Sequence, residues 1–246
     1  QRRLVAWELR HTDTPIRAVP HLIMAALEDS ATAMSEQAGQ LLSQAERLME
    51  HQANAEAEAD TWRWKVMLWK ARSRLARHIG DLDGLELACD QLLELGMESG
   101  HLPTLVFTVE TRMMLDYEKK DWSRLVQHAE ARFALERQAP GVDAAALYHW
   151  AQGVKAWSEG ETERALLSIN EGMILNNETP RRDVLVLLTR TKAEILTRLQ
   201  WTTEARMATS HYLQLAENDS DGTHLIVANL MNAEVLRQEG KPELAL

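Results

Sequence analysis

Helix breakers and caps recur along this chain at a steady interval, and that interval leaves few folds open. Pro20, Asp60-Thr61, Gly100-His101, Pro140-Gly141, Pro180 and Asp221-Gly222 stand about forty residues apart, a period that marks arrays of helix pairs. A second series lies midway, at Gly39-Gln40, Gly80-Asp81, Lys120-Asp121, Gly160-Glu161, Gln200-Trp201 and Gly240-Lys241. Five residues past each of these turns come Ala45, Leu85, Leu125, Ala165, Ala205 and Ala245. Gly, Asp and Pro punctuate helices because they supply left-handed geometry, a cap or a missing N–H. Two interleaved series that keep step without insertions describe one helical hairpin repeated along the chain.

Residues 140–180 show the unit most clearly: a helix after Pro140-Gly141, a turn at Gly160-Glu161, and a second helix ending before Pro180. The register predicts first helices at roughly 21–38, 61–79, 101–119, 142–159, 181–199 and 222–239. Second helices fall at roughly 42–55, 82–97, 122–138, 161–177 and 202–217, with a truncated one from 242. The repeats are then 21–60, 61–100, 101–140, 141–180, 181–220 and an incomplete 221–246. Residues 1–20 precede them as a helix or capping segment, with Leu4, Val5, Trp7 and Leu9 apolar and a break at Thr12 to Pro15.

Aligned by register, positions separate by role. One holds Leu27, Met67, Phe107, Leu147, Leu187 and Val227, preceded by Ala26, Val66, Val106, Ala146, Val186 and Ile226. Four residues on stand Ala31, Ala71, Thr111, Ala151, Thr191 and Met231, mostly small. A spacing of four puts large and small side chains on one helix face, where the small ones admit a partner helix. On the second helices Leu95, Leu135, Leu175 and Leu215 share a position and are expected to plug each repeat. A lone hairpin cannot hide such faces, whereas stacked neighbours can. The expectation is an all-α protein.

At this point the chain resembles the tetratricopeptide (TPR) repeats. Gly153 and Ala165 stand twelve residues apart, like the small residues of that motif where its two helices cross. Gly160-Glu161 is similar to the motif's turn, and Asn176-Asn177 with Pro180 to its exit. The period exceeds the usual ~34 residues, and Ser73, Met113 and Ala193 replace Gly153 in other units. Long-period arrays of this kind resemble repeat regions of bacterial MalT-like transcription activators and of diguanylate cyclases with N-terminal repeats. The resemblance implies a right-handed superhelical array of antiparallel hairpins, a TPR-like α-solenoid, with first helices lining its concave face.

A formal charge of −10 argues against a broad nucleic-acid surface or an anionic membrane face, both of which need a basic stripe. Cys89 is the single cysteine, so no intrachain disulfide forms, and it reads as a packed thiol. No apolar run approaches the ~18 residues of a membrane span and no signal peptide opens the chain; a cytoplasmic location is expected. The chain opens at Gln1 and closes at Leu246 inside an apparent helix, which suggests a piece of a longer protein.

Catalytic motifs are not evident: no phosphate-cradling loop, no His-Glu-x-x-His and no nucleophile elbow. The nine His are dispersed, Glu56, Glu58 and Asp60 read as a helix start, and no metal or cofactor is expected. Tryptophan is the distinctive residue, with eight in the chain. Trp62, Trp64 and Trp69 crowd one first helix, while Trp150 and Trp157 share a face of another beside Tyr148 and His149. Aromatic and Arg side chains supply most anchors at binding surfaces, so Trp62, Trp64, Trp69, Arg72, Arg112, His149, Trp150 and Arg190 form the candidate groove. Arg63 and Lys192 add to its basic lining. Against this stands the core reading of each Trp, since large aromatics dominate core energetics too. Trp62 and Trp64 cannot share a face, so at least one is expected at solvent or a partner. Trp122 and Trp201 sit at turns and are expected to be structural.

The function expected is a non-catalytic interaction or sensory region of a larger bacterial signalling or transcription regulator. Its concave face would take a peptide, a partner domain or a small effector, and its terminal repeats could pair as a homodimer. A freestanding adaptor, or an all-α enzyme whose site forms only in three dimensions, are the alternatives.

Overall fold

The computed structural model describes residues 2–10, 15–30, 34–51, 58–136, 144–178, 180–217 and 222–241. Among them the regular structure is helical, without strands. In order come α1 (Arg2–Arg10), a 3-10 turn (Pro15–Ala18), α2 (Val19–Ser30), α3 (Ser35–His51), α4 (Glu58–Ile79) and α5 (Leu82–Ser99). There follow α6 (Leu102–Lys119), α7 (Trp122–Glu136), α8 (Ala145–Ser158), α9 (Thr162–Glu178), α10 (Arg182–Arg198), α11 (Thr202–Glu217) and α12 (Gly222–Gln238). The expected breaks at Pro140-Gly141 and Asp221, and the truncated helix from 242 with Ala245, lie outside the described residues, as do Glu56 and Ala31.

Five of the turns share one device, and a sixth instance ends α5 at Gly100 (φ 62°), where the His101 N–H returns to the Gly96 carbonyl at 3.2 Å. Gly80, Lys120, Gly160, Gln200 and Gly240 all have positive φ, between 57° and 80°. After each, an N–H reaches back five residues to a helix carbonyl: Asp81 to Ala76 at 2.8 Å, Asp121 to Asp116 at 2.9 Å and Glu161 to Ala156 at 2.9 Å. Trp201 to Leu196 at 3.1 Å and Lys241 to Leu236 at 2.9 Å complete the series. This is the Schellman closure, which ties up carbonyls left open at a helix C-terminus. The next helix starts immediately, at Leu82, Trp122, Thr162 and Thr202 in four of the five turns. Asp81 and Asp121 serve as its N-caps, accepting the N–H of Gly84 at 2.9 Å and of Arg124 at 3.1 Å, in the usual capping geometry.

The first hairpin departs from the register. Gly39-Gln40 does not break the chain but lies inside α3, and α2 stops at Ser30, earlier than the predicted 38. Ala38, Leu42, Ala45 and Met49 are buried on one face of α3, at spacings of four, three and four. That stripe continues upstream of the glycine, and a mid-helix Gly costs only about 1 kcal/mol relative to Ala. Burial on both sides of Gly39 therefore outweighs its breaking tendency.

Two compact units divide the chain, residues 1–115 and 116–246, with the division inside α6. In the first, α2 packs on α3 and α4, and α4 on α5. Its core gathers Leu22, Ile23, Ala26, Leu42, Leu68 and Ala71. In the second, consecutive helices pack in order, and α10 also contacts α8 and α12. The position five residues past the turns at 80, 120, 160 and 200 is buried, at Leu85, Leu125, Ala165 and Ala205, and Ala45 is buried without a turn before it. Leu95, Leu135, Leu175 and Leu215 are only half-buried, so they are not the plug. The fully buried column lies three residues earlier, at Leu92, Arg132, Gly172 and Tyr212, and its mixed side chains do not form a repeated apolar plug. Where α8 crosses α9, a Cβ on Gly153 would lie 2.7 Å from Ile169 Cδ1 and 3.2 Å from the Ala165 carbonyl, so the small residue sets the approach.

Left-handed geometry strains any residue with a Cβ. Lys120→Gly and Gln200→Gly are each expected to stabilise the protein by about 1 kcal/mol, and Gly160→Ala to destabilise it by a similar amount. Urea unfolding of the three variants checks the opposite signs.

Candidate interaction residues on the first helices

The candidate groove residues fall into two sets. Trp62, Trp64, Trp69, Arg72 and Arg112 belong to the unit of residues 1–115, and His149, Trp150 and Arg190 to that of residues 116–246.

In the first set, Trp62 and Trp64 are both half-buried and serve different neighbours. The Trp62 indole N–H donates to the Leu95 carbonyl at 3.2 Å, and its ring meets His101 edge-on at 5.0 Å. Trp64 packs against the α2–α3 core. Trp69 carries the Arg72 guanidinium 4.9 Å above its ring. Arg72 also donates to Glu46 on α3 at 2.5 Å, and Arg112 to Asp90 on α5 at 2.5 Å. Lys192, at the same repeat position as those two arginines, donates to Asn170 on α9 at 2.8 Å. Each of these cations thus reaches back to the second helix of the preceding hairpin. Arg72, Arg112 and Lys192 act as struts rather than as free anchors.

In the second set, Trp150 is fully buried. Its N–H donates to Thr191 Oγ1 at 3.0 Å, and Thr191 donates on to the Leu187 carbonyl at 2.9 Å. Tyr117 lies against Trp150 at 5.3 Å, with Trp122 edge-on at 5.8 Å and the Arg190 guanidinium 5.7 Å from the Tyr117 ring. Burial pushes the Tyr117 phenol above its ordinary 10.0, Arg190 partly opposing it and Glu194 adding to it. His149 Nδ1 pairs with Glu171 of α9 at 3.1 Å. The structure therefore joins Trp69 to Arg72, and Trp150 to Arg190 through Tyr117.

Tyr117 was not singled out by sequence reasoning, because its partners Trp150 and Arg190 do not stand one forty-residue period away from it. Asp116 and His128 were missed as well. Asp116 is buried, accepts from His128 Nδ1 at 2.5 Å, and has Arg124 Nε at 3.8 Å. Turn tryptophans behave unequally: Trp122 is half-buried against Tyr117, but Trp201 is 48% exposed and does not pack as a structural residue. Trp201 directly follows the left-handed residue, as Asp81, Asp121 and Glu161 do, whereas Trp122 stands one residue later, at the first position of α7. Cys89 is buried. Among the described residues no cluster of three His, Cys, Asp or Glu could hold a metal, and no helix is long and apolar enough to cross a membrane.

No protein-family model and no curated protein matches this sequence.

Trp150→Ala removes a fully buried ring and strips Thr191 of its donor; a loss of about 3–5 kcal/mol is expected, against less than about 0.5 kcal/mol for Trp201→Ala. Thermal melts of the pair check this. A phenol pKa raised on folding contributes stability that is intact below pH 10 and is lost as pH rises through the folded-state value. Tyr117→Phe should therefore flatten the fall in stability above pH 10 and remove a late-ionising tyrosine from an alkaline absorbance titration.

Proposed function

We propose that this chain is a non-catalytic interaction region of a larger bacterial signalling or transcription regulator, working in the cytoplasm. In this reading the hairpins stack as a TPR-like right-handed α-solenoid, and the face of the first helices holds a peptide, a partner domain or a small effector. The observation that carries it is the recurrence of one left-handed closure at positions 80, 120, 160, 200 and 240. Identical closures repeat the same hairpin, and identical hairpins bury their faces by stacking. The seating of α10 beside both α8 and α12 supports a row of first helices within residues 116–246.

Photoreactive residues placed by turns at Gln152, Arg198 and Arg74 on first helices, and at Leu167 and Met207 on second helices, test this in the full-length protein in its host. Leu167 and Met207 are exposed at 60% and 72%, so they are fair controls. Adducts are expected from the first-helix positions. Adducts arising only from Leu167 and Met207 would overturn the assignment of the working face.

A further inference from the structure

We propose that one face of α4, formed by Arg63, Met67, Lys70 and Arg74, binds an acidic peptide segment with apolar residues among its carboxylates. The proposal rests on the interaction reading above, in that it takes a first helix as the contact surface.

Spacings of four, three and four put these residues on one side of the helix. Arg63 and Arg74 are exposed, and Met67 and Lys70 half-buried. Arg72 and Arg112, by contrast, are engaged with Glu46 and Asp90. Among the described residues, Arg63, Lys70 and Arg74 form no ion pair. The Lys70 ammonium instead sits 4.7 Å over the Phe107 ring of α6. Its pKa is lowered, first by burial and then by repulsion from Arg74. Three cations without a carboxylate stand on one helix face of a chain whose net charge is −10. A carboxylate brought between Lys70 and Arg74 relieves their repulsion and completes the partly desolvated ammonium.

The spacing also describes the ligand. Along a helix rising 1.5 Å per residue, Lys70 and Arg74 are about 6 Å apart and Arg63 and Lys70 about 10 Å. An extended peptide advancing ~3.3 Å per residue matches these with acidic residues two and then three positions apart. Met67 falls within the longer gap and faces the residues between the second and third acids. The segment is thus acid, any residue, acid, two apolar residues, acid. A nucleic acid is the poorer fit, because its regular phosphate array gains from a long basic track and is repelled by the acidic remainder.

Fluorescence anisotropy with a rhodamine-labelled peptide containing Glu-Ser-Glu-Leu-Leu-Glu tests the proposal on the full-length protein, with the Gln-Ser-Gln-Leu-Leu-Gln peptide as control. Binding is expected for the acidic peptide alone and should weaken between about 50 and about 300 mM salt, as the Debye length shortens from ~14 to ~6 Å. Arg63→Gln, Lys70→Gln and Arg74→Gln are each expected to weaken it about fivefold or more, and Arg72→Gln to leave it unchanged while lowering the melting temperature. Equal binding by the triple variant would overturn the site, as would tighter binding of a single-stranded oligothymidylate with the same losses. Absence of peptide binding, with cross-links from Gln152 and Arg198 retained, would overturn this inference and leave the interaction reading standing.

Discussion

A helix that reverses within two residues has to end on a left-handed residue, since that φ lets the following N–H return to a carbonyl five positions back. The rest of this protein depends on that closure. It appears at Gly80, Lys120, Gly160, Gln200 and Gly240, and in four of these the next helix begins two residues later. Because the connection has almost no slack, the second helix is held in one rotational setting against the first. Within the hairpins the residue five past the turn is directed inward, whether it is Leu85, Leu125, Ala165 or Ala205. Regular burial follows from regular reversal, even where Lys120 and Gln200 bear the strain that glycine avoids.

Polar chemistry on the first helices is largely consumed in holding neighbours together. Arg72, Arg112 and Lys192 occupy one repeat position, and each spans to the preceding second helix. Trp150 spends its indole N–H on Thr191, and Tyr117 fills the space between Trp150, Trp122 and Arg190. Such exposed or half-exposed ion pairs add little stability singly, but they determine which cations remain for a partner. On α4 the Arg63–Lys70–Arg74 face holds three cations that meet no carboxylate among the described residues.

Much of the helix plan was legible because a turn is decided locally. Gly-Asp, Gly-Glu and Lys-Asp pairs compete with helix continuation over a few residues, and predicted boundaries from 58 to 217 fall within a few residues of those observed. Gly39 shows where local reasoning fails: the buried stripe of Ala38, Leu42, Ala45 and Met49 carries α3 straight through it. The candidate site was legible only in part. Helical spacing reports that Trp62 and Trp64 point to different sides, but not that both sides are occupied, by His101 and by the α2–α3 core. Nor does it reveal that Trp201 stands open while Trp150 is sealed.

The sequence by itself determined that the chain is all-α and where its helices turn between residues 80 and 200, because capping, left-handed geometry and the spacing of apolar residues act within one or two helical turns. Only the tertiary structure decided which side chains are spent and which are left. Trp150 meets a hydroxyl forty-one residues away and Arg112 a carboxylate twenty-two residues back. Lys70, by contrast, faces an aromatic ring instead of an acid. Burial and pairing are properties of neighbouring helices, and no single stretch of sequence contains both halves of such a contact.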